Sequence, residues 1–164
     1  MDSQDAHPPE SRPPTLEDLL LLCRSLNQAG ARYLVVGGFA VMQHGFTRAT
    51  EDIDLLVESS LENQARVKKG LEALPDKAIL ELANDDFRNW VVVRVADEIV
   101  VDLMLTACGI GYEEASKEIE TVSIQGVPIP FASPALLLRM KQTHREKDAL
   151  DRMFLERKIS GGKP

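Results

Sequence analysis

Asp52 and Asp54 stand one residue apart at the head of the aliphatic run EDIDLLVE, and Asp102 interrupts a second such run, IVVDLML. In an extended chain, residues two apart point to the same face. The Asp52 and Asp54 carboxylates therefore project side by side if the strand begins by Asp52. Two anions held that close repel. Without a cation, crowding raises the pKa of one of them and weakens the fold, whereas a divalent metal turns the repulsion into coordination. Asp102 would share its face with Val100 and Met104, where an unpaired carboxylate is costly. If its strand lies beside the Asp52–Asp54 strand, all three carboxylates converge on a hard cation, most plausibly Mg²⁺. Each acid alone has an ordinary reading, Asp52 as a turn residue and Asp54 as an edge solubiliser. The joint pattern is what points to metal.

Gly37-Gly38 follows a short aliphatic stretch. Without β-carbons the backbone can approach a ligand closely, and unpaired N–H groups at the start of the next helix suit an anion such as a triphosphate; a tight turn is the ordinary alternative. The next glycine is Gly45, so the dinucleotide spacing G-x-G-x-x-G is absent. Arg48 and Thr50, in the loop before the acidic strand, could touch phosphate; solvated loop residues or an ion pair with Glu51 are the alternatives. Lys141 could reach the triphosphate from a C-terminal helix, or be a surface lysine. Arg145, Lys147, Asp148, Asp151 and Arg152 read as an ion-pair network along a helix face. His44 ends a helix in a structural role and His144 is isolated, so no histidine metal site or nucleophilic triad assembles. Cys23 and Cys108 have neither the number nor the spacing of a disulfide scaffold or zinc site.

The elements that must position these residues follow from periodicity and caps. Residues 1–14, with four prolines, read as a flexible leader, residues 15–158 as one domain, and residues 159–164 as a tail without reason to be ordered. Thr15 caps a helix carrying Leu16, Leu19, Leu20, Cys23 and Leu26, with Gly30 as its stop. Tyr33 to Val36 and Ile53 to Val57 are strands, with a brief helix from Phe39 to His44 between them. Ser59 and Ser60 cap a helix ending before Pro75. Ile79 to Leu82 suggests a strand, Trp90 to Val95 and Ile99 to Leu105 a hairpin, and Tyr112 to Glu118 weak helix. Thr121 to Gln125 and Val127 to Phe131 form a second hairpin about Gly126. From the Ser133-Pro134 cap onward the chain is helical, with Leu136, Leu137, Met140, Leu150, Met153 and Phe154 as its apolar positions.

At 164 residues, 44% hydrophobic and 27% charged, the chain suits one globular domain. No apolar run approaches the ~20 residues that span a bilayer, and no secretory signal pattern is present, so the cytoplasm is the expected location. A net charge of -7 argues against a general nucleic-acid binder but leaves room for a local basic cleft holding one nucleotide.

The stretch VVGGFAVMQHGFTRATEDIDLLV resembles the signature of the DNA polymerase β nucleotidyltransferase superfamily, in which a glycine turn precedes an Asp-x-Asp pair and a third acid follows on a later strand. Its texture is similar to small bacterial members, including the AbiEii-like and minimal nucleotidyltransferases. SPALLLRMKQTHREKDALD is similar to that group's lysine-bearing helix and Arg-x-Lys-Asp segment. The resemblance implies an α/β (α+β) core, a mixed β-sheet flanked by helices with a helical C-terminal segment. It also implies two Mg²⁺ ions on Asp52, Asp54 and Asp102, and transfer of a nucleoside monophosphate from NTP to an acceptor hydroxyl. The acceptor stays open among antibiotic, tRNA end and protein side chain, and a partner protein could supply its surface. Two other readings remain: an interaction module, one half of a toxin–antitoxin-type complex with little turnover, and an acidic domain that binds Mg²⁺ or Mn²⁺ without catalysis.

Overall fold

The computed structural model describes residues 11–82 and 92–161. Helix α1 (Leu16–Gln28) starts at a reciprocal cap: the Thr15 hydroxyl accepts from the Asp18 N–H, and the Asp18 carboxylate accepts from the Thr15 N–H at 2.7 Å. It buries Leu19, Leu20, Leu22, Cys23 and Leu26, and ends before Gly30, whose φ of +73° reverses the chain. Strand β1 (Tyr33–Val36) is buried throughout and passes directly into α2 (Gly37–Gln43), so the helix includes the glycine pair rather than following it. Strand β2 (Asp52–Val57), helix α3 (Leu61–Leu71, capped by Ser60), β3 (Val92–Ala96) and β4 (Val100–Met104) come next. A small hairpin of β5 (Thr106–Ala107) and β6 (Ile110–Gly111) leads to α4 (Tyr112–Ala115). Then follow β7 (Ile119–Ile124), β8 (Val127–Ala132), α5 (Pro134–Met140, capped by Ser133) and α6 (Glu146–Ile159).

Six strands form one mixed sheet in the order β3-β4-β2-β1-β8-β7. β2 is antiparallel to β1 and parallel to β4, and β1 is parallel to β8. The hairpins β3–β4 and β7–β8 close the two edges. Helices flank this sheet, as expected, and its aliphatic residues form one core with those of α1, α3 and α5. Among the described residues no helix is long and apolar enough to cross a membrane.

Other expectations need correction. Ile79 to Leu82 is not a strand: a 3₁₀ turn spans Ala78–Glu81, because the buried Asp97 carboxylate gathers the N–H groups of Asp76, Ala78 and Glu98 at 2.7–2.9 Å and ties the chain into a loop. The C-terminal helix is two helices, broken between Met140 and Glu146. Leu150 and Met153 are each 58% exposed, while Asp148, Asp151 and Leu155 of α6 point inward. The strand expected from Trp90 begins at Val92 among the described residues; Trp90 and Val91 lie outside them.

At the N-terminus, residues 1–10 of the expected leader lie outside the described residues, and the next few are fastened down. Ser11 donates to the Asp97 carbonyl at 2.7 Å, and Arg12 pairs with both Asp18 and Glu98. At the other end, residues 162–164 of the expected tail lie outside the described residues.

Where α3 crosses α1 the backbones nearly touch. A β-carbon on Gly70 would lie 2.9 Å from the Leu26 Cα and 2.6 Å from its Cδ2. Gly70→Ala should therefore lose about 1–3 kcal/mol of stability through overpacking, read as a lowered urea midpoint. An unchanged midpoint would show that the α1–α3 seam can slide apart.

Candidate active site

The parallel pairing of β2 with β4 sets Asp54 opposite Asp102 and Asp52 opposite Val100. Asp52, Asp54 and Asp102 each offer a carboxylate oxygen, and the three atoms lie within 4.8 Å of one another. Asp102 is buried and the other two are half-buried. On the other side of β2, Val36 faces Asp54 across the antiparallel β1–β2 pair, which brings the glycine turn against the acid. Gly37 has φ +70°, and a β-carbon there would collide with the Asp54 carboxylate, so both backbone and space demand glycine. A β-carbon on Gly38 would fall 2.6–2.7 Å from the Thr50 side chain. Thr50 in turn donates to the Asp52 carbonyl at 3.0 Å and steadies the start of β2.

Burial, reinforced by the charges of Asp52 and Asp102, pushes the Asp54 carboxyl up to about 7. Asp52 is raised by burial and by Asp102, against the lowering pull of Lys147 and Arg94.

Arg94 is a site residue that the sequence reading missed. It faces Asp102 across the β3–β4 hairpin. Its Nε and Nη2 donate to the two Asp102 oxygens at 2.9 Å each, and Nη2 lies 3.3 Å from Asp52 Oδ2. The sequence missed it by one residue of turn: the connection expected at 96–98 would set position 94 against position 100, whereas the turn lies at 97–99 and sets it against Asp102.

The opposite wall comes from the C-terminal helices. Lys141 closes α5 and is buried, with Nζ 3.3 Å from Asp148 and 3.1 Å from Asp151. Asp148 also accepts from Thr143 and from Arg145 at 2.8 Å. Burial alone would raise the Asp148 carboxyl, but these hydrogen bonds and Lys141 outweigh it and hold the group below its ordinary value. Arg48 pairs with Asp151, not Glu51, at 3.0 Å and so ties the loop before β2 to α6. Arg152 donates to the Lys141 and Thr143 carbonyls at 2.6 and 2.9 Å, fixing the α5–α6 break. Of the charges expected along a helix face, Asp148 and Asp151 are buried beneath the site, Arg152 is half-buried, and Arg145 and Lys147 are exposed. Elsewhere, His44 bonds the Ala132 carbonyl at 2.8 Å, a structural role; Cys23 is buried, and Cys108 sits exposed at the site's rim.

One cavity of about 390 Å³ is lined by Gly37, Gly38, Arg48, Thr50, Asp52, Asp54, Asp102 and Lys141, all eight positions singled out from the sequence. Arg94, Arg145 and Lys147 complete its charged lining, and Val92, Met104, Leu137 and Met140 contribute apolar wall. A chain of net charge -7 has therefore gathered five cations around three acids.

No protein-family model matches the chain, and no curated protein matches its sequence. Among solved structures it is similar to TM1012 of Thermotoga maritima, a candidate nucleotidyltransferase, with a TM-score of 0.51 and 16% identity over 90% of this chain and 93% of that one. It is also similar to the antibiotic-resistance factor ANT(2'')-Ia, with a TM-score of 0.51 and 14% identity over 88% of this chain and 85% of that one. At these identities the likeness is one of fold, and the chain has the nucleotidyltransferase fold.

The raised Asp54 carboxyl predicts a pH-dependent stability. Unfolded, the group ionises near 3.8; folded, near 7. Its ionisation opposes folding, with no penalty below pH ~4, a growing one between ~4 and ~7, and the full penalty above. In EDTA, Asp54→Asn should melt higher than wild type at pH 8, by on the order of 1–3 kcal/mol, and the gain should vanish near pH 4. A variant that is less stable at both pH values would mark Asp54 as a structural hydrogen-bond hub instead.

Proposed function

We propose that this protein is a Mg²⁺-dependent nucleotidyltransferase that moves a nucleoside monophosphate from NTP to an acceptor hydroxyl. The observation that carries the reading is the convergence of three carboxylates from two parallel strands in a cavity that also gathers five cations. The sequence texture points further, to the small bacterial AbiEii-like or minimal group.

The acids fit a hard divalent ion. All three donors are carboxylate oxygens within reach of one centre, and the burial and repulsion that push Asp54 up to about 7 are what such an ion would relieve. Asp52, Asp54 and Asp102 would hold two Mg²⁺ ions, with Mn²⁺ an acceptable substitute. When bound, the metal screens the triphosphate charge and stabilises the departing pyrophosphate.

The remaining roles belong to the chain. Gly37 and Gly38 would admit backbone close to the phosphates, Arg48 and Lys141 would present donors to them, and Thr50 would line the phosphate wall with its hydroxyl turned to the Asp52 carbonyl. Asp102 takes the proton from the acceptor hydroxyl as it attacks the α-phosphorus in line. The acceptor is a small molecule, a tRNA end or a protein side chain, with a partner protein offering part of its surface. A reaction fed by NTP belongs in the cytoplasm. General nucleic-acid binding and membrane association form no part of this reading.

Arg94 favours a second reading, because a guanidinium on Asp102 and Asp52 satisfies two of the acids without metal. In that case the fold serves as an interaction module, one half of a toxin–antitoxin-type complex.

The two readings separate by experiment. For an enzyme, NTP should raise the melting temperature clearly with Mg²⁺ and only weakly in EDTA, by mass action. Asp54→Asn should abolish that difference. Asp102→Asn should largely keep nucleotide stabilisation while label transfer from NTP to components of a cell lysate falls by orders of magnitude. If NTP with Mg²⁺ gives no thermal shift while a partner protein binds tightly, the interaction module replaces the enzyme.

A further inference from the structure

We propose that Arg94 is a tethered cation that occupies the carboxylate cluster in the metal-free protein and must leave it when a divalent ion binds. The inference rests on the metal reading above and adds a competitor to it.

The contacts place the guanidinium among the ligand atoms themselves. Both Asp102 oxygens accept from Arg94 at 2.9 Å, and Asp52 Oδ2 lies 3.3 Å from the same Nη2. Acids from two strands therefore share one planar donor in the space on which their oxygens converge. The other cations of the wall do not perform this task. Lys141 and Arg145 are engaged by Asp148, and Arg48 by Asp151.

Arg94 is also built to leave. It lies on the edge strand β3, where Val93 and Val95 are buried and hold the strand down while positions 92, 94 and 96 face outward. Its side chain is 62% exposed, so it can swing into water without opening the core. A divalent ion carries twice the charge and binds carboxylate oxygens at about 2.1 Å, so it outcompetes the guanidinium once it arrives. Until then the tethered charge lowers the affinity for free metal and relieves repulsion among the acids. The protein can thus keep three convergent carboxylates folded before any ion is present.

The test titrates free Mn²⁺ into the nucleotide-free protein, read by electron paramagnetic resonance, with Asp54→Asn as the blank for adventitious binding. Arg94→Gln should bind Mn²⁺ about tenfold or more tightly than wild type, within the range usual for coupled events. Arg94→Lys, whose ammonium cannot make the fork contact, should fall between the two. Lys147→Gln removes a charge that also lowers the Asp52 pKa, but the hydrogen-bonded contacts to the acids are those of Arg94, so it should change affinity less than Arg94→Gln does. In EDTA, Arg94→Gln should melt below wild type, and saturating Mn²⁺ should close the gap.

Equal or weaker Mn²⁺ affinity in Arg94→Gln would overturn the inference and make Arg94 a residue that orients Asp102 for metal. So would a Lys147→Gln effect as large as that of Arg94→Gln, or a melting deficit that Mn²⁺ does not restore. If neither wild type nor Arg94→Gln exceeds the blank, the metal reading itself fails and this inference goes with it. If both bind Mn²⁺ equally, the metal reading stands and only the competitor is lost.

Discussion

Repulsion among Asp52, Asp54 and Asp102 is the constraint that the rest of the structure answers. The three acids come within 4.8 Å because β2 and β4 are parallel neighbours in one register. What fixes that register is the other face of the same strands. Ile53, Leu55, Val101 and Leu103 are almost fully buried, and a one-residue slip would turn them outward and drive the acids into the core. Each such side chain contributes about 1.5–3 kcal/mol by burial, so four of them outweigh the few kcal/mol by which clustered carboxylates oppose folding. The site is held by its own back side.

Cations answer the repulsion in two tiers. Arg94 touches the acids directly from the edge strand, and it is mostly in water. The second tier is anchored on buried acids. Asp148 and Asp151, both fully buried, hold Lys141, Arg48 and Arg145 in a network that joins α5, α6 and the loop before β2. Removing one member of such a network would leave an uncompensated buried charge, which costs more than the pair contributes when intact. Arg48 and Lys141 are therefore fixed at the cavity wall by partners that themselves need them.

The parts legible in sequence are those set by local chemistry. The Thr15, Ser60 and Ser133 caps, the aliphatic runs of β1, β2 and β4, and the same-face spacing of Asp52 and Asp54 depend on residues a few positions apart. The parts missed depend on distant partners. Arg94 belongs to the site because a hairpin lays it on Asp102, and Arg48 meets Asp151 from 103 residues away. Helix α6 misleads for a related reason. Its inward face is chosen by the ion network rather than by hydrophobicity, so Asp148 and Asp151 go in while Leu150 and Met153 stay out. Ile79 looked like strand because its aliphatic neighbours fit one, and Asp97, almost twenty residues on, overrides them by binding the turn's N–H groups.

The two tiers also give the cavity a direction. Its sheet side carries Asp52, Asp54 and Asp102, and its helix side carries Lys141, Arg145 and Lys147, with Arg48 spanning from the glycine turn to α6. A simple anion would meet the acids at one end, and a simple cation would meet the lysines and arginines at the other. The ligand that complements both ends is itself split, positive toward the sheet and negative toward the helices. A divalent ion carrying a triphosphate has that polarity, which the net charge of -7 could not have specified. Under the proposed function, metal and nucleotide would each supply the partner that the other's half of the cavity needs, and their binding would be coupled through the wall charges.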